Sequence, residues 1–412
     1  MTILTILLGG ILRDIAYKTF PYLRDGYLKF VSESDAVAAY YLANWSKFNK
    51  VGNIKEKETV LVYDMGAGTL DITVLDKCTT KTNTIEVEVR GKIGTGKAGN
   101  YLDYTIACIL QELGLIPIQL ISTDFVANSA IRVDMLNLKN AIKTEIKPHL
   151  APGETISYTV GHKSWSVEAD KIINHPKFQR YLHDVTTKIF KQIGMYIGSD
   201  FDITTVILSG RSCRLQVLRE SIEEAIKSLS NKDIRLVEFD SQKDEEKTLV
   251  AEGAIAQVSK FDIPTSKVKI KSRRLYASYG IMFQELGGHL HYVELLNHND
   301  IPYAKTSGIF DGKNINVNGT SSSAYIRLVQ TYMSPEETEA NYNMGNTEFI
   351  SDMEEFDMAN FNNADKLNVR LRLDRNNNVS LYVNGLKSIA STPKGVDLTS
   401  DITKQSIWPV TI

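Results

Sequence analysis

The stretch TVLVYDMGAGTLDITVL, Thr59 to Leu75, limits the possible folds more than any other part of the chain. Two short runs rich in Val, Ile and Thr, Thr59–Tyr63 and Ile72–Leu75, read as strands, and the glycines between them read as a sharp turn. The turn is Asp64-Met65-Gly66-Ala67-Gly68-Thr69-Leu70-Asp71. Glycine lets a backbone approach a ligand closely, and successive N–H groups in such a turn make an anion-binding hollow. Asp64 and Asp71 at its rims would repel a phosphate unless a hard cation lay between them. That points to hydrated Mg²⁺, which keeps several waters and bridges carboxylates to phosphate oxygens. Thr69 adds a hydroxyl donor. The alternative is a hairpin whose aspartates only favour the turn.

The surrounding pattern sets the fold class. Ser32 is placed to cap a helix over Ala36–Trp45. A period-two strand is expected at Thr84–Arg90, helices at Tyr101–Leu113 and Val133–Lys147, and an antiparallel pair at Thr155–Val160 and Trp165–Val167. Helical segments then run to Ile197. A buried strand, Ile203–Leu208, precedes a turn and a helix, Leu215–Leu229; a strand, Ile234–Phe239, and a helix, Thr248–Val258, follow. Strands alternating with helices predict an α/β domain. Asp262–Arg274 reads as a basic, Pro-containing connector. Beyond it, runs at 276–282, 289–296, 324–332, 367–373 and 379–383 predict an all-β domain, with a turn at Asp374–Asn378. Met1–Leu12 is apolar but shorter than the ~20 residues that span a bilayer, and reads as a buried strand.

Composition narrows the function classes. The 412 residues suggest two to three domains at roughly 150 residues each. Lys+Arg 47 against Asp+Glu 49 leaves a net charge of −2, which argues against nucleic-acid and polybasic membrane binding. Cys78, Cys108 and Cys213 have no paired spacing, so the chain is read as reduced and cytoplasmic, without a disulfide framework or a four-cysteine zinc site. Gly91–Ala98 nearly fits a phosphate-binding P-loop, but Ala98 removes the metal-binding hydroxyl. His289 and His291 alternate on an expected strand with no third ligand evident, and read as surface imidazoles. Cys213 beside Arg214 reads as a small packed residue.

The octet and its strands resemble the second phosphate-binding element of the actin-like ATPases, most closely that of the seventy-kilodalton heat-shock chaperones (DnaK type). Four further segments resemble that family in order: Ser32–Tyr40 with its alanine-rich helix, Lys143 at an adenosine-contacting position, Ile207–Arg214 as the adenosine motif, and Val250–Ala254 as the helix closing the domain. Leu367–Gly385 resembles part of the peptide-binding β-sandwich. The chain departs from the family at Ser34, where a proline is usual, at Arg211 for a glycine and at Lys247 for an acidic residue. The first phosphate loop and catalytic lysine would lie before Met1, and no helical lid follows Gly385.

The resemblance implies a partial, RNase H-like nucleotide-binding domain at 1–260, a linker at 261–274, a β-sandwich at 275–395 and a tail at 396–412. It implies that Asp64 and Asp71 hold Mg²⁺ through water and that Glu33 orders water or metal, these three forming the catalytic set. Gly66, Ala67, Gly68 and Thr69 would cradle the phosphates. Gly99, Lys143, Gly210, Arg211, Ser212 and Arg214 would complete the ATP/ADP site, with Arg214 stacked on the base. The expected activity is that of a chaperone-like protein that binds nucleotide and unfolded or extended peptide, with hydrolysis impaired. Its expected partners are co-chaperones or a chain supplying the missing lobe. The alternative is a non-catalytic peptide-binding or scaffold protein whose nucleotide cleft is silent or completed in trans.

Overall fold

The computed structural model describes residues 15–21, 32–48, 57–79, 85–124, 126–197, 203–229, 234–239, 245–258, 268–273, 278–284, 289–297, 308–309, 313–316, 325–331, 333–345, 350–357, 366–373, 379–383, 386–387 and 407–408. The strand expected within 1–12 and the turn at 374–378 lie outside the described residues.

The two runs around the glycine turn pair as antiparallel strands β1 (Lys57–Met65) and β2 (Leu70–Thr79), with Asp64 opposite Asp71 and Met65 opposite Leu70. A third strand, β3 (Ile85–Thr95), continues the meander and alternates buried and half-buried residues, as its period-two sequence requires. On its other side β1 pairs in parallel with β6 (Thr205–Ser209), and β6 with β7 (Arg235–Glu238). With Val268–Arg273 as β8, the strand order is β7-β6-β1-β2-β3-β8. Parallel neighbours need crossover connections. Between β3 and β6 run the helices α2 (Gly99–Glu112), α3 (Ser129–Ala141), α4 (Pro176–His183) and α5 (Ile189–Ile197), and between β6 and β7 runs α6 (Gln216–Leu229). The expected pair of strands is present as β4 (Thr155–Val160) and β5 (Lys163–Glu168).

Both faces of β1 are covered, which explains its unbroken apolar run. Leu61, Tyr63 and Met65 face one core with α2 to α6, where Leu102, Ile106, Ile109 and Leu110 line up on α2. Val60 and Val62 face a second core made with α1 (Glu33–Ala43) and α7 (Glu245–Val258).

Three expectations are corrected. Part of the supposed connector, Val268–Arg273, is the edge strand β8, paired in parallel with β3. Its sequence VKIKSR alternates apolar and basic residues, which suits a charged sheet edge. The region read as all-β contains, besides strands, the helix α8 (Pro335–Asn343). Ser334 and Glu337 close a capping box at its start, which sets the helix where strand propensity is weak. Within the segment read as a tail, Trp408 is buried in the first core and its indole N–H donates to the Leu120 carbonyl at 2.6 Å.

The remaining strands form two antiparallel sheets. One has the order β10-β9-β13-β14, from β9 (Ser278–Gln284), β10 (Leu290–Leu296), β13 (Tyr325–Thr331) and β14 (Ile350–Asp357). The other joins β11 (Gly308–Ile309), β15 (Lys366–Leu373), β16 (Val379–Val383) and β17 (Leu386–Lys387), with β12 (Lys313–Asn316) also on β15.

Candidate functional site

The turn between β1 and β2 closes on itself. The Gly66 N–H donates to the Thr69 carbonyl at 2.9 Å, and the Thr69 hydroxyl donates to Asp71 Oδ2 at 2.9 Å. Its carbonyls face α2: Gly99 N–H donates to Gly66 O at 3.1 Å, and Asn100 N–H to Ala67 O at 2.7 Å. These bonds satisfy two of the orphan donors at the start of α2, which has no side-chain cap. A trans peptide points its N–H opposite to its C=O, so the amides of Ala67 and Gly68 are aimed away from α2. Among the described residues nothing accepts from those two amides. A Cβ on Gly68 would meet no atom within 4 Å. The exposed side of the turn is therefore open and rich in donors.

Two other segments lock onto the turn. The loop after β6 starts at Gly210, whose φ of 85° favours glycine, and a Cβ there would collide with the Met65 backbone. The Ser212 hydroxyl donates to Gly66 O at 3.4 Å. A Cβ on Gly99 would stand 2.6 Å from Ser212 Oγ and 3.0 Å from Gly66 O. Gly66, Gly99 and Ser212 thus meet at one point, with Arg211 and Arg214 exposed on either side of Ser212. Cys213 is buried and its thiol donates to the Ser209 carbonyl at 3.0 Å, so it is a packed group.

Three carboxylates share this end of the sheet. Burial pushes the Asp64 carboxyl up to about 6; a hydrogen bond with Ser209 opposes the rise, while the charges of Glu33 and Asp71 add to it. Burial raises Asp71 too, against the Thr69 hydrogen bond and the Lys92 charge. Glu33 stands exposed in the first turn of α1. That turn is tied down nearby: Lys92 pairs with Asp35 and donates to Ser32 Oγ at 2.7 Å, and Thr73 donates to Ser34 at 2.7 Å. Carboxylates held at raised pKa gain most from a cation that neutralises them.

No protein-family model matches the chain.

The structure brings Glu33, Asp64, Asp71, the turn 66–69, Gly99 and the 210–214 loop to one end of the β1–β6 pair. Lys143 has a different partner. Its ammonium lies 3.7 Å from Asp103, one turn into α2 from Gly99, and Lys147 holds the same carboxylate at 2.8 Å. The near P-loop is not a loop: Gly91 to Gly94 are strand residues paired with β2 from Val74 to Asp71, and Lys97 pairs with Asp184. Ser209, as the hydroxyl partner of Asp64, is a site residue that sequence reasoning passed over; its signal was its position directly before Gly210. Among the described residues no helix is long and apolar enough to cross a membrane.

Proposed function

We propose that this end of the sheet binds a magnesium nucleotide, ATP or ADP, and that the protein is chaperone-like, with the strands of 278–387 holding extended peptide. The observation that carries the reading is the pair of outward-facing amides, Ala67 and Gly68, set between Asp64 and Asp71. The location supports it as well. At β1 the strand order reverses, with β2 antiparallel on one side and β6 parallel on the other, and ligands of open α/β sheets bind beyond the carboxyl ends of strands at such switch points.

In this reading the amides of Ala67 and Gly68 donate to phosphate oxygens, while the Thr69 hydroxyl holds Asp71 in place. Asp64 and Asp71 hold the water shell of Mg²⁺, and Glu33 orients a water beside it. The metal, when bound, neutralises charge between phosphate oxygens. Gly210 lets the nucleotide lie against the backbone, and Arg214 stacks on the base. The phosphate donors named here all lie on the one turn, so we propose binding with little hydrolysis by this chain alone. Edge strands of antiparallel sheets accept extended peptides by backbone pairing. Free thiols at Cys108 and Cys213 support a cytoplasmic setting.

Calorimetry with MgATP and MgADP tests the site. Submillimolar binding that disappears in Asp64→Ala is expected. Binding that survives unchanged in that variant would overturn the assignment, and a melting temperature indifferent to every nucleotide would favour a silent scaffold.

A further inference from the structure

The loop before β10, the strand itself and the helix α8 bring together three metal-ligating side chains that the nucleotide reading does not use. His289 and His291 are two residues apart, so both rings leave the same face of the chain. Glu339, on α8, meets both: His289 Nε2 is 3.6 Å from Oε1, and His291 Nδ1 is 3.2 Å from Oε2. One ligand atom from each of the three lies within 4.8 Å of the others. We propose that His289, His291 and Glu339 bind a divalent transition-metal ion of the zinc class.

The separations carry the argument. Zinc binds imidazole nitrogen and carboxylate oxygen at about 2.0–2.2 Å, so neighbouring ligand atoms of a tetrahedral site stand roughly 3.3–3.5 Å apart. The two histidine–carboxylate contacts, one to each oxygen of Glu339, lie close to that edge, so a small closing movement brings one atom of each residue onto a common ion. At 3.6 Å the His289 contact is too long for a hydrogen bond, and its ring meets His291 edge-on with centroids 5.2 Å apart. Two imidazoles and a carboxylate are a donor set that suits zinc and its first-row neighbours.

The ligands are also held in place. Glu339 Oε2 accepts from the Tyr292 backbone N–H at 3.1 Å, which orients the carboxylate as an outer-shell donor does in metal sites. Asn343, one turn further along α8, clamps Leu290 from both sides, accepting from its N–H at 3.0 Å and donating to its carbonyl at 2.7 Å. Leu290 lies between the two histidines, so this clamp fixes the helix against the outer edge of β10. Beside the cluster opens a pocket of about 410 Å³ walled by Tyr292, Pro335, Ala340 and Asn343. With three protein ligands, a metal there keeps a coordination position for water or a small oxygen ligand.

The proposal is independent of the nucleotide reading and is tested on the full chain after chelator treatment. Titration with Zn²⁺ is expected to give one equivalent of saturable binding that excess Mg²⁺ does not displace, and Co²⁺ should show the visible absorption of a four-coordinate ion. His289→Ala, at a ring 60% exposed and so harmless to folding, should weaken Zn²⁺ at least tenfold, as should Glu339→Gln. His162→Ala, at an exposed histidine outside the cluster, should leave binding unchanged. Absence of saturable binding, or affinity equal to that of the parent chain in both His289→Ala and Glu339→Gln, would overturn the site and leave an imidazole–carboxylate ion pair.

Discussion

Gly210 crosses the end of β1 so closely that a Cβ on it would stand 2.2 Å from the Met65 carbonyl oxygen. The same residue sits at φ 85° and ψ 144°, a region open essentially to glycine alone. Conformation and space therefore both demand glycine, and the loop 210–214 owes its seat on the β1–β2 turn to that contact. Gly210→Ala is expected to destabilise the chain by about 3 kcal/mol, from on the order of 1–3 kcal/mol of backbone strain plus the displaced strand end. It should also weaken MgADP binding, because Ser212 and Gly66 would separate. Urea denaturation matching that of the parent chain would show that the loop is free to shift.

Asp64 gives the site a pH signature. Its folded pKa is about 6 against an ordinary 3.8, so the native state holds the proton more tightly than the unfolded chain does. Between those values the native state binds more protons, and stability falls as pH rises. The gap of about 2 units corresponds to roughly 3 kcal/mol, absent below pH 4 and fully present above pH 6. Asp64→Asn should therefore raise the melting temperature at pH 7.5 and leave it unchanged at pH 3.5, while abolishing any effect of Mg²⁺. An equal shift at both pH values would mean that the carboxylate is not the cause.

The hairpin and its octet were legible because β1 and β2 obey local rules: β-branched runs, a glycine turn and a register that follows from the turn. The strand β8 was hidden by its charge, since the lysines that suit a sheet edge also suit a solvated connector, and only the alternation of Val268 and Ile270 separates the two. The helix α8 was hidden for another reason. Its sequence PEETEANYN has little apolar periodicity, and the capping pair Ser334 and Glu337 was the signal available. The meeting of Glu339 with His291, 48 residues apart, and of Lys143 with Asp103 depends on tertiary packing that no local pattern encodes.

Under the sheet, away from the β1–β2 turn, Glu58 ties four elements together. Its carboxylate accepts from the Tyr41 hydroxyl at 2.9 Å and the Thr205 hydroxyl at 2.5 Å, and pairs with Arg235 at 3.2 Å and Lys77 at 3.6 Å. Glu58 and Lys77 are both buried, and burial lowers the Lys77 pKa against the pull of Glu58. Glu58→Ala strips the main counter-charge from a buried ammonium and should cost about 3–5 kcal/mol. The double variant Glu58→Leu with Lys77→Met should recover most of that loss, because apolar residues of similar size replace the pair. A double variant as unstable as the single one would show that the hydroxyl contacts, not the charges, hold the strands.

The last prediction concerns the helix that carries Glu33. Where α7 crosses α1, a Cβ on Gly253 would stand 1.8 Å from the Ala36 carbonyl oxygen and 2.6 Å from its carbon. Ala36, Ala38 and Ala39 are buried at this crossing, so small residues on both helices let the backbones touch. In an exposed helix, replacing glycine by alanine stabilises by about 1 kcal/mol. Here the sign should reverse. No rotamer moves a Cβ, so Gly253→Ala must push the helices apart, at a cost typical of overpacking, about 1–3 kcal/mol. Because α1 begins at Glu33, the displacement should reach the carboxylate cluster and weaken the proposed MgATP binding without altering any residue of the proposed site. A Gly253→Ala chain with a raised melting temperature would refute the close crossing, and one destabilised but with full affinity would separate α1 from the site.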